Sequence, residues 1–476
     1  MVGAGPSGLT AAIRLRQMGR SVVVLDRVRQ RPSRVEALTP GVADIVRYLR
    51  AHEILANAEA TPVQRHRVAW ATRDAVTREL KPVEASFLVQ RHRFDEELAK
   101  ASVEQGVLFQ RSSRTIGIET NGEHQLINYS HDGLERVVAA RHVLEATGRP
   151  HGAKRKQLGP SLIALSAVCE GAVGDECEML VEALEDGWVW AAREPGGALH
   201  VTAFGDPAHV HLRWPSEPQR ALSEMLASSA YLTQLGDAGT FEGVCDAGSY
   251  VCEDWFRDGR WKIGDAALGL DPLSSSGVEK SMRFALQAAL AVNTVLKSDG
   301  DPVVAREFLN GKLNDACARH LAWTREHYAS AWCWPNGPFW ETRGSTQPPT
   351  DGSSKMLAQV EQRPMALALL GVPCIAADVV FKDAPCALED HIETKPAVFH
   401  PNLAESVAFI DGVELVPLLR AAHDVASYPE LIERWAGVVP RDRAIRICAW
   451  ALRNGILTSG GEAVGSRMAE RLPACA

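Results

Sequence analysis

The chain contains 476 residues, of which 46% are hydrophobic and 23% charged, and its formal net charge is −8 at pH 7. At roughly 100–200 residues per domain this length predicts several domains, and the composition excludes collagen, coiled-coil and wholly disordered proteins. The acidic balance argues against nucleic acid as a partner. The sequence has neither an apolar run of about 18 residues nor a signal peptide, so we expect a cytoplasmic protein without a membrane partner. The ten cysteines never form a CxxC pair, which predicts reduced thiols and no metal site.

The sequence opens with the motif MVGAGPSGL, whose glycines follow the GxGxxG spacing: Gly3, Gly5 and Gly8. A helical stretch and the apolar run 22–25 come next, which is the order of a dinucleotide-binding βαβ unit. In such a unit the first glycine forms the tight turn, the second lets the backbone approach a pyrophosphate, and the third lets the helix pack on the strand. Pro6 and Ser7 begin the helix, whose free amides would face the phosphates.

The end of the second predicted strand carries polar residues suited to the adenosine end of such a cofactor. Asp26, 23 residues after the first glycine, is placed to accept a hydrogen bond from a ribose hydroxyl. Arg27 and Arg34 belong to the arginine-rich segment 27–50, which either forms a solvated face or contacts the adenosine or an acidic partner. Only two residues precede the first glycine, so we expect a first strand that is unusually short or is completed by residues encoded upstream.

Two later segments favour FAD over the cofactor of a small NAD-dependent dehydrogenase. LEATGRP, residues 144–150, ends a short apolar run, and WKIGDAALGLDPLSSSGVEK, residues 261–280, places a Gly-Asp pair between a strand and a long helix. The aspartate is suited to accept from a ribityl hydroxyl, and the serine-rich helix start offers backbone amides to the electron-rich edge of a flavin ring. The cofactor-binding residues predicted in this region are Gly264, Asp265, Pro272, Ser275, Ser276, Gly277 and Val278.

These motifs resemble those of the FAD-dependent monooxygenases of the aromatic-hydroxylase fold. DPLSSSGV, residues 271–278, is similar to the DPLFSSGV of the tryptophan-halogenase-like members, RVEALTP, residues 34–40, resembles their GESLLP segment, and VQRHRFD, residues 89–95, resembles the vxRxxFD of the superfamily. The resemblance covers about residues 1–345. It implies an α/β fold in which a Rossmann-like FAD-binding domain carries an inserted antiparallel-sheet substrate domain, and it implies that Arg91 approaches the flavin.

The segment WVWAAR, residues 188–193, occupies the place where halogenases of this group carry WxWxIP. The tryptophans are retained but the Ile-Pro pair is not. The nearest candidate for the halogenase lysine that captures hypohalous acid is Lys81, which lies in unlike surroundings, so we rank hydroxylation ahead of halogenation. Trp188 and Trp190 are either substrate-contacting residues or simply the packed face of an antiparallel strand, because aromatic residues are ordinary strand formers.

The remaining patterns predict the domain organisation. We expect the following divisions: an FAD-binding domain at 1–160 and 245–343, a substrate-domain sheet at 161–244 to which part of 55–135 contributes, a linker at 344–354, a helical connector at 355–398, and a small domain at 399–476. The small domain has the pattern of a short strand, three helices and a terminal turn with a strand, which is the outline of a winged helix. Winged helices bind DNA or hold peptides, and the acidic chain favours a peptide.

The combined features resemble the flavin monooxygenases that hydroxylate a peptidyl tryptophan during biogenesis of the tryptophylquinone cofactor of quinohaemoprotein amine dehydrogenase. The resemblance implies FAD as the cofactor, a polypeptide substrate that carries the target tryptophan, and NAD(P)H as the reductant, either directly or through a separate flavin reductase. Oxygen would come from a flavin C4a-hydroperoxide, so the protein shields and orients and no nucleophilic side chain is needed. No catalytic base stands out by spacing. The alternatives are a flavin halogenase, a flavoprotein reductase and a flavin-binding scaffold with a regulatory winged helix.

Overall fold

The computed structural model describes residues 1–27, 34–81, 84–149, 154–169, 177–194, 196–233, 239–344 and 371–460. The chain forms two compact units, Met1–Pro348 with Glu389–His391, and Pro349–Leu388 with Ile392–Ala476. Within the described ranges no helix is long and apolar enough to cross a membrane. The same ranges hold no group of three or more His, Cys, Asp or Glu side chains placed to bind a metal ion.

The first unit contains helices separated by runs of consecutive strands. Its helices are α1 Pro6–Gln17, α2 Gly41–Tyr48, α3 Ile54–Asn57, α4 Arg91–Glu104, α5 Pro207–Arg213, α6 Pro218–Ala227, α7 Gly277–Val295, α8 Pro302–Ala329 and α9 Pro338–Glu341. Its strands are β1 Val23–Leu25, β2 Val35–Leu38, β3 Thr61–Pro62, β4 Arg65–Ala69, β5 Val76–Glu79, β6 Phe87–Gln90, β7 Leu108–Gln110, β8 Ser113–Asn121, β9 His124–His131, β10 Leu134–Ala140, β11 Val143–Glu145, β12 Arg155–Gln157, β13 Ile163–Cys169, β14 Glu178–Leu184, β15 Gly187–Arg193, β16 Leu199–Gly205, β17 Gly239–Asp246, β18 Tyr250–Cys252, β19 Phe256–Arg257, β20 Arg260–Lys262 and β21 Leu268–Gly269.

A parallel sheet forms the centre of this unit. Strand β1 pairs in parallel with β7, and β11 pairs in parallel with β20. Val2 joins these two pairs, because it forms parallel bridges with both Leu25 and Glu145. Helices α1, α2, α4 and α7 cover the sheet through a buried core that includes Leu9, Val24 and Phe94. Parallel strands have their carboxyl ends at one edge, so the glycine turn, the end of β1 and the ends of β11 and β20 meet there.

A seven-stranded sheet faces that edge, with strand order β17-β13-β16-β15-β14-β4-β5. Every pairing in it is antiparallel except that of β14 with β4. Alternate residues of a strand point to opposite faces. One face packs on α5 and α6 through apolar side chains such as Val189, Val201 and Leu222. The other face carries a different set of residues, which are Ala164, Ser166, Trp188, Trp190, His200, Thr202 and Phe204.

The second unit contains short strands and three helices. They are β22 Val372–Ile375, β23 Val380–Ala387, β24 Ile392–Phe399, β25 Phe409–Ile410, β26 Val413–Glu414, α10 Leu415–Arg420, α11 Tyr428–Ala436, α12 Arg441–Arg453 and β27 Leu457–Gly460. Strand β22 pairs with β27, and β23 forms a hairpin with β24. The helices bury Tyr428, Trp435 and Ile447 in one apolar core. This unit therefore has its own hydrophobic core, whose residues all belong to the second unit.

The structure differs from the predicted helical connector at 355–398. Its described part, residues 371–398, forms three strands instead of a helix. Pro385 and Pro396 lie inside two of these strands, and a proline in a helix interior would remove a hydrogen bond and clash with the preceding turn. Because β22 pairs with β27, the small unit also includes residues well before the predicted boundary at 399. Apart from Gly344, the predicted linker 344–354 lies outside the described residues.

Candidate functional site

A cavity of about 1170 Å³ lies in the first unit and is lined both by the glycine turn and by one face of the seven-stranded sheet. Pockets for single small molecules usually measure about 300–1,000 Å³, so this cavity has room for a dinucleotide and an aromatic ring. Most of the site residues predicted from the sequence line it: Gly3, Gly5, Pro6, Ser7, Asp26, Arg27, Arg34, Arg91, Trp188, Trp190, Gly264, Asp265, Pro272, Ser275, Gly277 and Val278. Gly8 and Ser276 are not among the lining residues.

Glycine is required at each of the three positions of the first motif for a different structural reason. Gly3 has a positive φ of 98°, and a Cβ there would lie 2.3 Å from the carbonyl oxygen of Ala146. A Cβ on Gly8 would lie 2.1 Å from the carbonyl oxygen of Gly3, which explains why Gly8 supports the turn without lining the cavity. A Cβ on Gly5 would meet no atom within 4 Å. Gly5 therefore keeps open the space in front of the N-terminus of α1, where unpaired helix amides can bind an anion.

Two charged residues complete this end of the cavity. Asp26 Oδ1 accepts a hydrogen bond from the backbone amide of Ala4 at 3.0 Å, which fixes the carboxylate beside the glycine turn. The Nε atom of Arg34 is buried and has no hydrogen-bond partner among the described residues. A buried cationic donor without a partner, a glycine turn and a free helix N-terminus together fit the pyrophosphate and ribose of FAD. The residues present therefore fit the cofactor that the sequence predicts.

Arg91 is fixed between two carboxylates in the cavity wall. Its Nη1 lies 2.7 Å from Glu36 Oε2, and its Nε lies 2.9 Å from Asp95 Oδ1. Burial lowers the pKa of Arg91, but the two carboxylates outweigh this and raise the pKa above its ordinary value. The guanidinium is therefore a permanent and rigid positive charge in the cavity wall.

Asp265 faces an arginine that the sequence analysis did not select. Arg149 Nε lies 3.7 Å from Asp265 Oδ2, and Arg149 Nη1 donates to the carbonyl oxygen of Gly248 at 2.9 Å. Burial raises the pKa of Asp265, and the nearby Arg149 partly opposes that shift. The signal that could have identified Arg149 is its position directly after Gly148 in the LEATGRP motif.

The DPLSSSGV loop is fastened to α8 at two points. The backbone amide of Asp271 donates to His320 Nε2 at 2.7 Å, and the Asp271 carboxylate accepts from the Leu273 amide at 3.0 Å and from the Tyr328 hydroxyl at 3.1 Å. Ser275 has a left-handed conformation with φ of 47°. Sequence reasoning missed His320 and Tyr328 as supports of this loop, because about 50 residues separate them from it and no local pattern marks them.

An aromatic wall closes the opposite side of the cavity. Trp188 stacks on Phe204 with ring centroids 3.8 Å apart and an interplanar angle of 15°. Trp188 Nε1 donates to the Tyr328 hydroxyl at 3.2 Å, and only 2% of this tryptophan is exposed. The indole N–H of Trp188 is therefore already engaged, and this ring can offer a substrate only its surface. Trp190 lines the same wall two residues further along β15.

Polar groups interrupt this wall at positions that the sequence analysis did not single out. The hydroxyls of Ser166 and Thr202 lie 3.1 Å apart on neighbouring strands. His200 Nε2 lies 2.7 Å from Glu194 Oε2, and this hydrogen bond lowers the pKa of Glu194. The alternation of residues 200, 202 and 204 on a strand was the available signal, since it places these side chains on one face.

Two lysines bear on the halogenase alternative. Lys81 is exposed and does not line the cavity. Lys280, in the first turn of α7, does line it, and burial lowers the pKa of this amine. The lysine in the cavity is therefore not the one that sequence comparison selected.

The parallel sheet, the glycine turn and the cavity define a dinucleotide-binding flavoprotein. Residues 1–305 match the family model for FAD binding domains, FAD_binding_3, and because this match spans more than half of the chain, the chain belongs to that family. The sequence predicts membership of the FAD-dependent aromatic hydroxylase and halogenase superfamily, and this prediction is confirmed. The prediction of an FAD-dependent enzyme of the monooxygenase class is confirmed as well. FAD is the cofactor of the family.

Known proteins of two kinds resemble this chain. The curated tryptophan 2-halogenase of Chondromyces crocatus is 25% identical over 335 residues, which is 65% of this chain and 63% of that protein, so the chain spans less than two thirds of this relative. The solved structure of QhpG, described as a peptidyl tryptophan dihydroxylase essential for tryptophylquinone cofactor biogenesis, is 25% identical with a TM-score of 0.73 and covers 95% of this chain and 98% of QhpG. The flavin-dependent halogenase CmlS, at 17% identity, shares the fold with a TM-score of 0.75 over 96% of this chain and 95% of its own.

Proposed function

We propose that this chain is an FAD-dependent monooxygenase that hydroxylates the indole ring of a tryptophan within a partner polypeptide, during biogenesis of a protein-derived quinone cofactor. The observation that carries this proposal is that the flavin-binding motifs and an aromatic wall line the same cavity. The similarity to QhpG over 95% of the chain supports the choice of a peptidyl tryptophan.

The proposed role of the chain is to bind FAD and the substrate, to orient the substrate ring and to exclude water from the cavity. Bound FAD, once reduced, supplies an electrophilic oxygen atom derived from O2 for transfer to an electron-rich ring. The glycine turn, Asp26 and Arg34 would hold the pyrophosphate and ribose, while Arg91 and Arg149 are held by their carboxylate partners as fixed charges. The stacked pair Trp188 and Phe204 would orient the substrate ring and keep water from the reacting atoms.

We further propose that the second unit is a winged-helix-like module that holds the polypeptide substrate. Its three helices and its short paired strands support this assignment. A module that tethers a peptide raises the effective concentration of the target residue at the flavin, so the cavity itself can remain open. The reductant would be NAD(P)H, acting directly or through a separate flavin reductase.

Mass spectrometry of substrates after incubation with the FAD-loaded enzyme, a reductant and O2 tests the proposal. Hydroxylation adds about 16 or 32 Da to a tryptophan-containing polypeptide, chlorination adds about 34 Da, and a reductase adds no oxygen. We expect oxygen addition to a polypeptide and little turnover of free tryptophan. Equal turnover of free tryptophan would contradict the peptide assignment, and a product without added oxygen would contradict the monooxygenase assignment.

Lys280 supports flavin-dependent halogenation as the second candidate function. Halogenases of the superfamily use a lysine to capture hypohalous acid, and the lowered pKa of this cavity-lining amine favours the neutral form that could react with it. A chlorinated product in the presence of chloride that disappears in Lys280→Met, while oxygen addition persists, would establish this activity. No chlorinated product from the wild-type enzyme would remove it.

A further inference from the structure

An irregularity in the edge strand β17 places a glutamate in the cavity lining. Along the pairing of β13 with β17, Ser166 is opposite Gly243 and Ala167 is opposite Phe241, so Glu242 is an extra residue without a partner in the register. Gly243 has φ of 132°, a conformation that favours glycine. A β-bulge of this kind redirects a side chain and is common beside active sites. Glu242 is half-buried and lines the cavity.

Glu242 differs from the other carboxylates that line the cavity. Each of the others has a donor within the protein: Asp26 has the Ala4 amide, Glu36 has Arg91, Asp265 has Arg149, and Asp271 has Tyr328 and the Leu273 amide. Glu242 has no hydrogen bond or ion pair with any residue in the described ranges. A carboxylate that is partly removed from water is stabilised by a donor, so a bound ligand is the expected source of one.

The surroundings of Glu242 indicate which kind of ligand would supply the hydrogen-bond donor. On the cavity face of the sheet the row that starts at the bulge continues through Ser166 on β13 and Thr202 on β16 to Trp190 on β15. Strands lie about 4.8 Å apart, so β17 and β15 are separated by about 14 Å at this row, which leaves space for a flat ring above the two hydroxyls. The ligand that matches this row is an aromatic ring with one neutral N–H at its edge. The ring would lie above the hydroxyls of Ser166 and Thr202, and the N–H would donate to Glu242.

We infer that Glu242 accepts a hydrogen bond from the indole N–H of the target tryptophan and so determines the specificity of the site for an indole. This inference rests on the proposed function only in taking the substrate to be a tryptophan side chain. When an electrophile attacks the ring, positive charge spreads onto the indole nitrogen. A carboxylate at that edge stabilises the charge more than it stabilises the neutral ring, which is the condition for lowering the barrier.

Binding of two ligands to four forms of the full-length, FAD-loaded protein tests the inference. The ligands are N-acetyltryptophanamide and its 1-methylindole analogue, which cannot donate, and binding is followed through changes in the flavin absorption spectrum. The proteins are the wild type, Glu242→Leu, Glu242→Gln and the control Val244→Ala, whose side chain lies on the same strand and is 48% exposed. A thermal melt of each protein confirms that it is folded.

We expect the wild type and Val244→Ala to bind the N–H ligand about tenfold more tightly than the methylated one, as a hydrogen bond to a charged group predicts. In Glu242→Leu this preference should fall to about one, because only the N–H ligand loses its partner. Glu242→Gln should give an intermediate ratio, since an amide oxygen accepts without a charge.

The inference is overturned if Glu242→Leu keeps the wild-type ratio, or if the wild type binds neither ligand or binds both equally. Product masses from the wild type decide the proposed function separately. A normal oxygenated product with no N–H preference would refute the role of Glu242 alone. An N–H preference without oxygen addition would uphold that role and refute the hydroxylase.

Discussion

The hydroxyl of Tyr328 donates a hydrogen bond to Asp271 Oδ2 at 3.1 Å and at the same time accepts one from Trp188 Nε1 at 3.2 Å. One buried side chain of α8 therefore connects the DPLSSSGV loop to the aromatic wall. Burial raises the pKa of both the Tyr328 hydroxyl and the Asp271 carboxyl, and the hydrogen bond from Tyr328 partly lowers that of Asp271. Tyr328 therefore fixes the position of the loop relative to the aromatic wall.

Replacing Tyr328 with Phe should loosen this connection. The substitution leaves the Trp188 N–H without an acceptor and removes one donor from Asp271, so we expect the free energy of unfolding to fall by about 1–3 kcal/mol. Urea unfolding measures the loss, and flavin content after purification reports on the loop. Tyr48→Phe is the control, because Tyr48 is 52% exposed and should change stability by less than about 0.5 kcal/mol. Equal stability in both variants would show that the linkage contributes nothing.

Gly5 and Gly8 should respond differently to the same substitution. Gly5→Val fills space that is open in the protein, so the variant should fold normally but lose bound flavin, because the side chain blocks the approach of the pyrophosphate. Gly8→Val places a Cβ against the Gly3 carbonyl and should destabilise the protein itself. Flavin absorbance per protein and the melting temperature separate the two effects.

The control for this pair is Gly117→Val, where a Cβ also meets no atom within 4 Å but lies outside the cavity lining. It should retain both flavin and stability. Unchanged flavin content in Gly5→Val would show that the glycine turn does not face the cofactor.

Arg34 and Arg91 provide a second contrast. Arg34→Met removes a guanidinium whose Nε has no partner in the described part of the chain, so we expect little change in stability and about a tenfold or greater loss of FAD affinity. Arg91→Met removes the guanidinium that pairs with both Glu36 and Asp95, which should reduce the free energy of unfolding by about 3–5 kcal/mol. Titration of the apoprotein with FAD and urea unfolding measure the two quantities. Identical behaviour of the two variants would contradict the separate roles.

His320 should make stability depend on pH. Burial, with Lys280 nearby, lowers its pKa to about 3, whereas an unfolded histidine titrates near about 6.5. Below pH 6.5 the unfolded chain takes up a proton that the folded chain does not, so stability falls as the pH decreases from about 6.5 towards 3. The expected loss is about 1.4 kcal/mol per pH unit, or about 2 kcal/mol between pH 6.5 and 5.

His320→Gln checks this prediction, because its side-chain oxygen can still accept from the Asp271 amide but cannot take up a proton. The variant should show a flatter loss of stability below pH 6.5 in urea unfolding experiments. The same slope in wild type and variant would assign the acid sensitivity to other groups.

The sequence by itself determined the glycine turn, the acid at the end of β1 and the order of the flavin motifs. These features depend on contacts between residues that are close in sequence or on conformations that few residues adopt, such as the positive φ of Gly3. The aromatic positions Trp188 and Trp190 were likewise visible, because a strand places alternate residues on one face. The helix expected at 355–398 was wrong over its described residues, where pairing between strands decided the structure instead of local propensity.

Only the tertiary structure decided which side chains meet in the cavity. Tyr328 reaches Asp271 across 57 residues of sequence, and Arg149, after the end of β11, reaches Asp265, after the end of β20. Glu242 lines the cavity where the register of β13 and β17 shifts at Ser166. Gly243 is compatible with a bulge at this point, but the sequence does not show which strand β17 pairs with or what the bulge faces. Such contacts follow from how distant segments pack, and the free energy that fixes them is shared among many residues far apart in the chain. The sequence therefore specified the cofactor end of the site, and packing specified the end that would meet the substrate.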